Sequence, residues 1–120
     1  MTLKECYIAL GGNYEDALGR LRSERMVQKF VLKFLDDGSF DLLCRSMDAN
    51  VQEEAFRAAH TIKGMCQNLS FTLLAESSSE MTEALRSGDM AGARDLFDRV
   101  RVDHQRTVEA IQAFKASISL

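Results

Sequence analysis

The chain has 120 residues, a formal net charge of −3, 46% hydrophobic and 28% charged residues, and no proline. That length suits a single domain around one core. The absence of a basic excess argues against a nucleic-acid partner, and no apolar run approaches the ~18 residues that a transmembrane helix needs.

The opening MTLKECYIALGGN lacks a signal-peptide layout, because Lys4 is its only early basic residue and its apolar run is short and broken. Cytoplasmic residence is therefore expected. Cys6, Cys44 and Cys66 are odd in number and form no C-x-x-C pair, so they read as reduced, mostly buried small hydrophobes and not as disulfides or metal ligands.

In chain order, Thr2 and Glu5 fit a capping box that opens a short helix to Leu10, with Gly11-Gly12 ending it. Asn13 caps a second segment carrying Tyr14, Ala17, Leu18 and Leu21, which either breaks or bends at Ser23. Met26, Val27, Phe30, Val31, Phe34 and Leu35 then recur at helical spacing and are expected in the core. Asp37-Gly38-Ser39 interrupts that helix, and Phe40, Leu42, Leu43 and Met47 carry the apolar face on to Asp48.

Asn50 is expected to cap the next helix, with Glu53 completing an approximate capping box. Ser70 or Thr72 begins the following one, with Leu73, Leu74, Met81, Ala84 and Leu85 as its apolar set and Gly88 as its stop. The Ser77-Ser78-Ser79 run inside it weakens helix propensity unless small or hydroxylic groups are wanted there. Asp89 caps a last helix, whose stripe is Ala93, Phe97, Val100, His104, Thr107, Ile111, Phe114 and Ile118. No strand pattern competes. The expected fold is all-α, an antiparallel up-down four-helix bundle with a short extra N-terminal helix packed across one end, and residues 1–120 as one domain.

The helix after Asn50 has two informative faces. Ala55, Ala59, Ile62, Cys66 and Leu69 fall in one narrow arc. His60 points about 140° away from its centre, with Phe56, Arg57, Lys63, Gly64 and Gln67 within about 60° of His60. A glycine in mid-helix costs about 1 kcal/mol relative to alanine, which points to close approach by another molecule. A phosphoryl-accepting histidine needs an exposed ring nitrogen, a nearby cation and room for the donor. Lys63 at i+3, Gly64 at i+4 and Gln67 at i+7 offer charge, clearance and an amide beside the ring.

His60-Thr61-Ile62-Lys63-Gly64 resembles the H-x-x-K-G signature of histidine-containing phosphotransfer (HPt) domains, and Asn68-Leu69 follows where that family commonly has the same pair. The resemblance extends over the whole chain in length, helix order and amphipathic pattern. It implies a stand-alone phosphotransfer domain with His60 as the phosphorylated histidine, Lys63 as the phosphate-neutralising cation and Gly64 as the access glycine. Ser70 departs from the family's usual glycine, and Gln67 from its usual alanine, glycine or serine. The family also implies a polar side chain on the next helix bonded to the imidazole, for which Thr82 is the first choice and Ser78 or Ser79 the second. Ordinary interhelical contacts are the other reading of all three.

Phe56 either folds under a neighbouring helix or anchors a partner, and its place opposite the core stripe favours docking. Arg57 joins that docking patch or is a solvated charge. His104, on an apolar stripe, reads as a hydrogen-bonded core-edge histidine and not a second acceptor. No H-E-x-x-H, phosphate-binding glycine loop or G-x-S-x-G is present.

The resemblance then implies a monomeric carrier without its own ATP-dependent catalysis or cofactor. It shuttles a phosphoryl group, through attack by Nε2 of His60, between receiver-domain aspartates of a hybrid sensor kinase and a response regulator. Mg²⁺ would belong to the receiver. Two other readings stay open: an interaction module that is never phosphorylated, and a substrate domain phosphorylated directly by a separate chemotaxis-type kinase core.

Overall fold

The computed structural model describes residues 1–119. They form seven α-helices: α1 (Leu3–Leu10), α2 (Tyr14–Leu21), α3 (Glu24–Lys33), α4 (Ser39–Asp48), α5 (Gln52–Leu69), α6 (Thr72–Arg86) and α7 (Met90–Ile118). A 3-10 turn, Phe34–Asp36, joins α3 to α4, so those two are one interrupted rod, as the Asp37-Gly38-Ser39 signal implied. This rod with α5, α6 and α7 makes an antiparallel up-down bundle, each helix packed on the next.

Local chemistry accounts for most of the boundaries. Thr2 and Glu5 close the capping box in both directions, at 3.0 and 2.8 Å. Asn13 accepts from the Asp16 amide, Ser23 from that of Met26, and Asp89 from that of Gly92. Ser23 thus starts a new helix, and left-handed Arg22 (φ 74°) ends the one before it. Asn50 departs from its expected role as a cap. It lies outside α5 with φ 59°, and its side chain accepts from the Arg94 guanidinium on α7. Asn tolerates left-handed backbone as readily as it caps, and α5 begins without a side-chain cap after Val51.

The N-terminal helices refine the expected architecture. α1 does not simply cross one end; it runs antiparallel along the C-terminal half of α7, where the Cys6 thiol meets the Ala110 carbonyl and the Ser117 hydroxyl meets that of Met1. The α1–α2 turn is strapped to the α5–α6 turn, with Asn13 N–H on the Ser70 carbonyl at 2.9 Å and Leu73 N–H on the Gly11 carbonyl at 3.1 Å. This strap explains Gly12, since a Cβ there would sit 2.7 Å from the Ser70 oxygen. The Tyr7 hydroxyl donates to the Leu69 carbonyl in the same place, at 2.8 Å. Ser70 occupies the left-handed position (φ 57°) that ends α5 and that glycine fills most easily. Its hydroxyl donates to the Asp16 carboxylate at 2.5 Å, and together with Arg20 it holds that carboxyl below its usual range.

An unbroken series of aromatic contacts crosses the molecule. Tyr14, Tyr7, Phe71, Phe34, His104, Phe40 and Phe97 follow one another at ring separations of 5.8, 5.5, 5.3, 5.9, 3.8 and 6.4 Å. His104 is therefore half-buried and stacked nearly parallel on Phe40, at 6°, in place of the hydrogen-bonded setting expected from sequence. Two other stripe residues lie further out than expected: Met26 is 36% exposed and Ile118 43%.

Burial against Phe40 and Phe34 lowers the His104 pKa from its ordinary 6.5, while Asp41 and Asp37 pull it back upward. A base that prefers to be neutral when folded binds fewer protons native than unfolded, so its stabilisation is full above the unfolded pKa and is lost as pH falls toward the lower folded value. The urea midpoint should accordingly drop between about pH 7 and about pH 5.5, ahead of most carboxylate titration. His104→Phe, which keeps the stack, should flatten that slope. Equal slopes in the two proteins would remove His104 from the account.

Candidate functional site

α5 carries the site because its two faces differ so sharply. Ala55, Ala58, Ala59, Ile62, Cys66 and Leu69 are all buried. The three alanines let α4 and α6 approach closely, which fixes the rotation of the helix about its axis. Gln52 ties its start to the end of α6 by donating to the Leu85 carbonyl. With the apolar face held on two sides, the opposite face must look outward.

The residues expected to share that outer face do so. His60, Arg57, Gly64 and Gln67 are exposed, while Phe56 and Lys63 are half-buried. Arg57 faces Glu53 at 3.8 Å, whereas Lys63 enters no ion pair among the described residues. A Cβ added at Gly64 would meet nothing within 4 Å, so packing does not demand glycine here. Gln67 lies on the rim of a shallow cleft shared with Asp16, Ser70 and Ser79. On the other flank, Met65 and Asn68 border a groove with Phe30 and Lys33 of α3.

The polar brace expected from α6 is not formed. Ser78 and Thr82 are fully buried, and their hydroxyls donate to carbonyls one turn back, those of Leu74 and Ser78, at 2.5 and 2.6 Å. Each hydroxyl gives its one proton to its own helix, and among the described residues no hydrogen bond links either to the imidazole. The serine run instead keeps the α5–α6 interface thin: Ser77 is also buried and bonds the Leu74 carbonyl at 3.4 Å. Ser79 is half-buried on the cleft, and no hydrogen bond links it to His60 among the described residues.

The imidazole lies instead beside an aromatic ring. Phe56 and His60 stack at 5.8 Å with 12° between their planes, and the Arg86 guanidinium at the end of α6 lies 4.9 Å from the Phe56 centroid. Nothing in the sequence singles out Arg86. A basic residue in a helix's last turn is ordinary, and no spacing indicates that it meets a ring on the preceding helix.

An exposed imidazole, an uncommitted lysine one turn away and an open approach over Gly64 suit a nucleophile receiving an anionic group from another macromolecule. Among the described residues no group of three or more His, Cys, Asp or Glu is placed to hold a metal ion, and no helix is long and apolar enough to cross a membrane.

Comparison with known proteins agrees with this geometry. A family model described as "Hpt domain" matches residues 15–116, from the start of α2 to the end of α7, with His60 and its neighbours inside the matched span. Neither the curated proteins nor the solved structures gave a match. The chain belongs to the Hpt family, the histidine phosphotransfer domains that work with receiver domains in two-component signalling.

Proposed function

We propose that the protein carries a phosphoryl group on His60 between the receiver domain of a hybrid sensor kinase and that of a response regulator, as a cytoplasmic intermediate of a multistep relay. The observation that supports it most is the coincidence, on the outer face of α5, of an exposed imidazole with Lys63 one turn on, in no ion pair among the described residues, and open space over Gly64.

In the forward step, Nε2 of His60 attacks the phosphorus of a receiver phosphoaspartate in line. The N–P bond forms as the acyl-phosphate P–O bond breaks, and the aspartate carboxylate leaves with the electron pair. Lys63 follows the phosphoryl charge as a mobile cation, and a divalent cation belongs to the receiver. Phosphoryl transfer of this kind depends chiefly on positioning and charge, which a shallow exposed face offers equally to two partners. Incubating the protein with a phosphorylated receiver and following acid-labile, base-stable label tests the reading. No uptake from any of several receivers would remove it.

Gly64 gives a second, independent test. Since nothing crowds the position, Gly64→Ala should stabilise the fold by about 0.5–1 kcal/mol, the ordinary helix-propensity gain. The added methyl lies where the donor must come, so transfer should slow by about tenfold or more, on the scale of an ångström-sized misplacement. Denaturant midpoints and single-turnover rates together decide it. A stabilised variant that transfers as fast as wild type rules out the clearance role.

A further inference from the structure

An imidazole on an exposed helix face turns freely about two side-chain torsions, yet in-line attack needs its plane held. The hydroxyls of α6 do not hold it: Ser78 and Thr82 donate to carbonyls of their own helix, and among the described residues neither is hydrogen-bonded to His60. What lies against the ring is Phe56, one turn earlier, at 5.8 Å and 12° from parallel. Phe56 is in turn held from the neighbouring helix, with the Arg86 guanidinium 4.9 Å from its centroid and Arg86 itself bound to Glu83 at 3.3 Å.

We propose that Phe56 is a positioning residue for the His60 imidazole, fixed in place by Arg86. The proposal rests on the carrier reading of His60. The chemistry of the brace matters. A hydroxyl or amide bonded to the ring would commit one of its two nitrogens, whereas an aromatic face restricts the plane and engages neither. One nitrogen stays free for the phosphoryl group and the other for its proton, while Arg86 braces Phe56 from α6. The half-burial of Phe56 agrees with a ring that works inside the site. A docking anchor, by contrast, would present its ring to the partner.

Phe56→Leu and Phe56→Tyr separate positioning from docking. Each is read in two ways: the His60 ring-proton resonances, and transfer from a phosphorylated receiver across its concentration range. Phe56→Leu is expected to move the His60 ring protons downfield as the neighbouring ring current disappears. It should lower the saturating transfer rate by about two- to tenfold, the scale of one aromatic pair, and leave the half-saturating receiver concentration unchanged. Phe56→Tyr should keep wild-type values of all three.

Unmoved ring protons in Phe56→Leu would show that the rings do not stack, and overturn the proposal. So would an unchanged saturating rate with a raised half-saturating concentration, which would make Phe56 a docking contact. A wild-type chain that accepts no phosphoryl group removes the carrier reading, and the positioning role with it, even where the resonances confirm the stack.

Discussion

His60→Gln is expected to take up no label at all from a phosphorylated receiver that labels the wild type, while unfolding at the same denaturant concentration. Glutamine occupies similar space and keeps a polar tip, but its amide nitrogen has no free lone pair with which to form an N–P bond. Stability should hold because every buried contact of α5 comes from the opposite face, from Ala55 to Leu69. Exposed substitutions usually stay within about 0.5 kcal/mol. The chain has only two histidines, and the other, His104, is stacked on Phe40 at 3.8 Å and half-buried among aromatic rings. It offers no open approach to a donor. Base-stable label persisting in His60→Gln would therefore contradict both the assignment of the acceptor and the reading of His104 as structural.

What is legible in the sequence is whatever a single helix decides for itself. Caps at Thr2, Asn13, Ser23 and Asp89, the left-handed end at Gly11 and the two faces of α5 all follow from residue type and the 3.6-residue period. Asn50 misleads for a physical reason: the same short amide suits a helix cap and a left-handed turn, and the choice falls to Arg94, 44 positions away in sequence. Thr82 and Ser78 point to the same boundary. Helical periodicity places them toward α5, but whether they reach His60 or bond their own carbonyls depends on how closely α5 and α6 approach. The Arg86–Phe56–His60 array lies beyond it entirely, since it joins residues whose registry is set only when two helices pack. Hence the proposed acceptor is readable from the chain, and the ring proposed to orient it is not.

Phe71→Ala should destabilise the fold more than any substitution at the site, costing about 3–5 kcal/mol, as truncation of a fully buried phenylalanine does. A domain of this size has only about 5–15 kcal/mol in total. Phe71 sits in the α5–α6 turn, fully buried, with its ring 5.5 Å from Tyr7 and 5.3 Å from Phe34. It joins α1, the 3-10 turn and the end of α5, so the loss is shared among three segments that no local signal connects. Phe71→Leu, which restores most of the volume without the ring, should cost less than about 1.5 kcal/mol, and the difference isolates the cavity from the edge-to-face contacts. Amide exchange adds a spatial test. In Phe71→Ala the protection of α1 should fall further than that of the α5–α6 interface, because α1 is held there by Tyr7 and the backbone strap, whereas α5 and α6 keep their own long contact. A uniform loss of protection would mean that the N-terminal helices and the bundle unfold as one unit. In either case the phosphotransfer rate per folded molecule should stay at the wild-type value, since His60 and its neighbours lie on the far face of α5 from Phe71. A lower rate at full folding would show that the aromatic series reaches the acceptor after all.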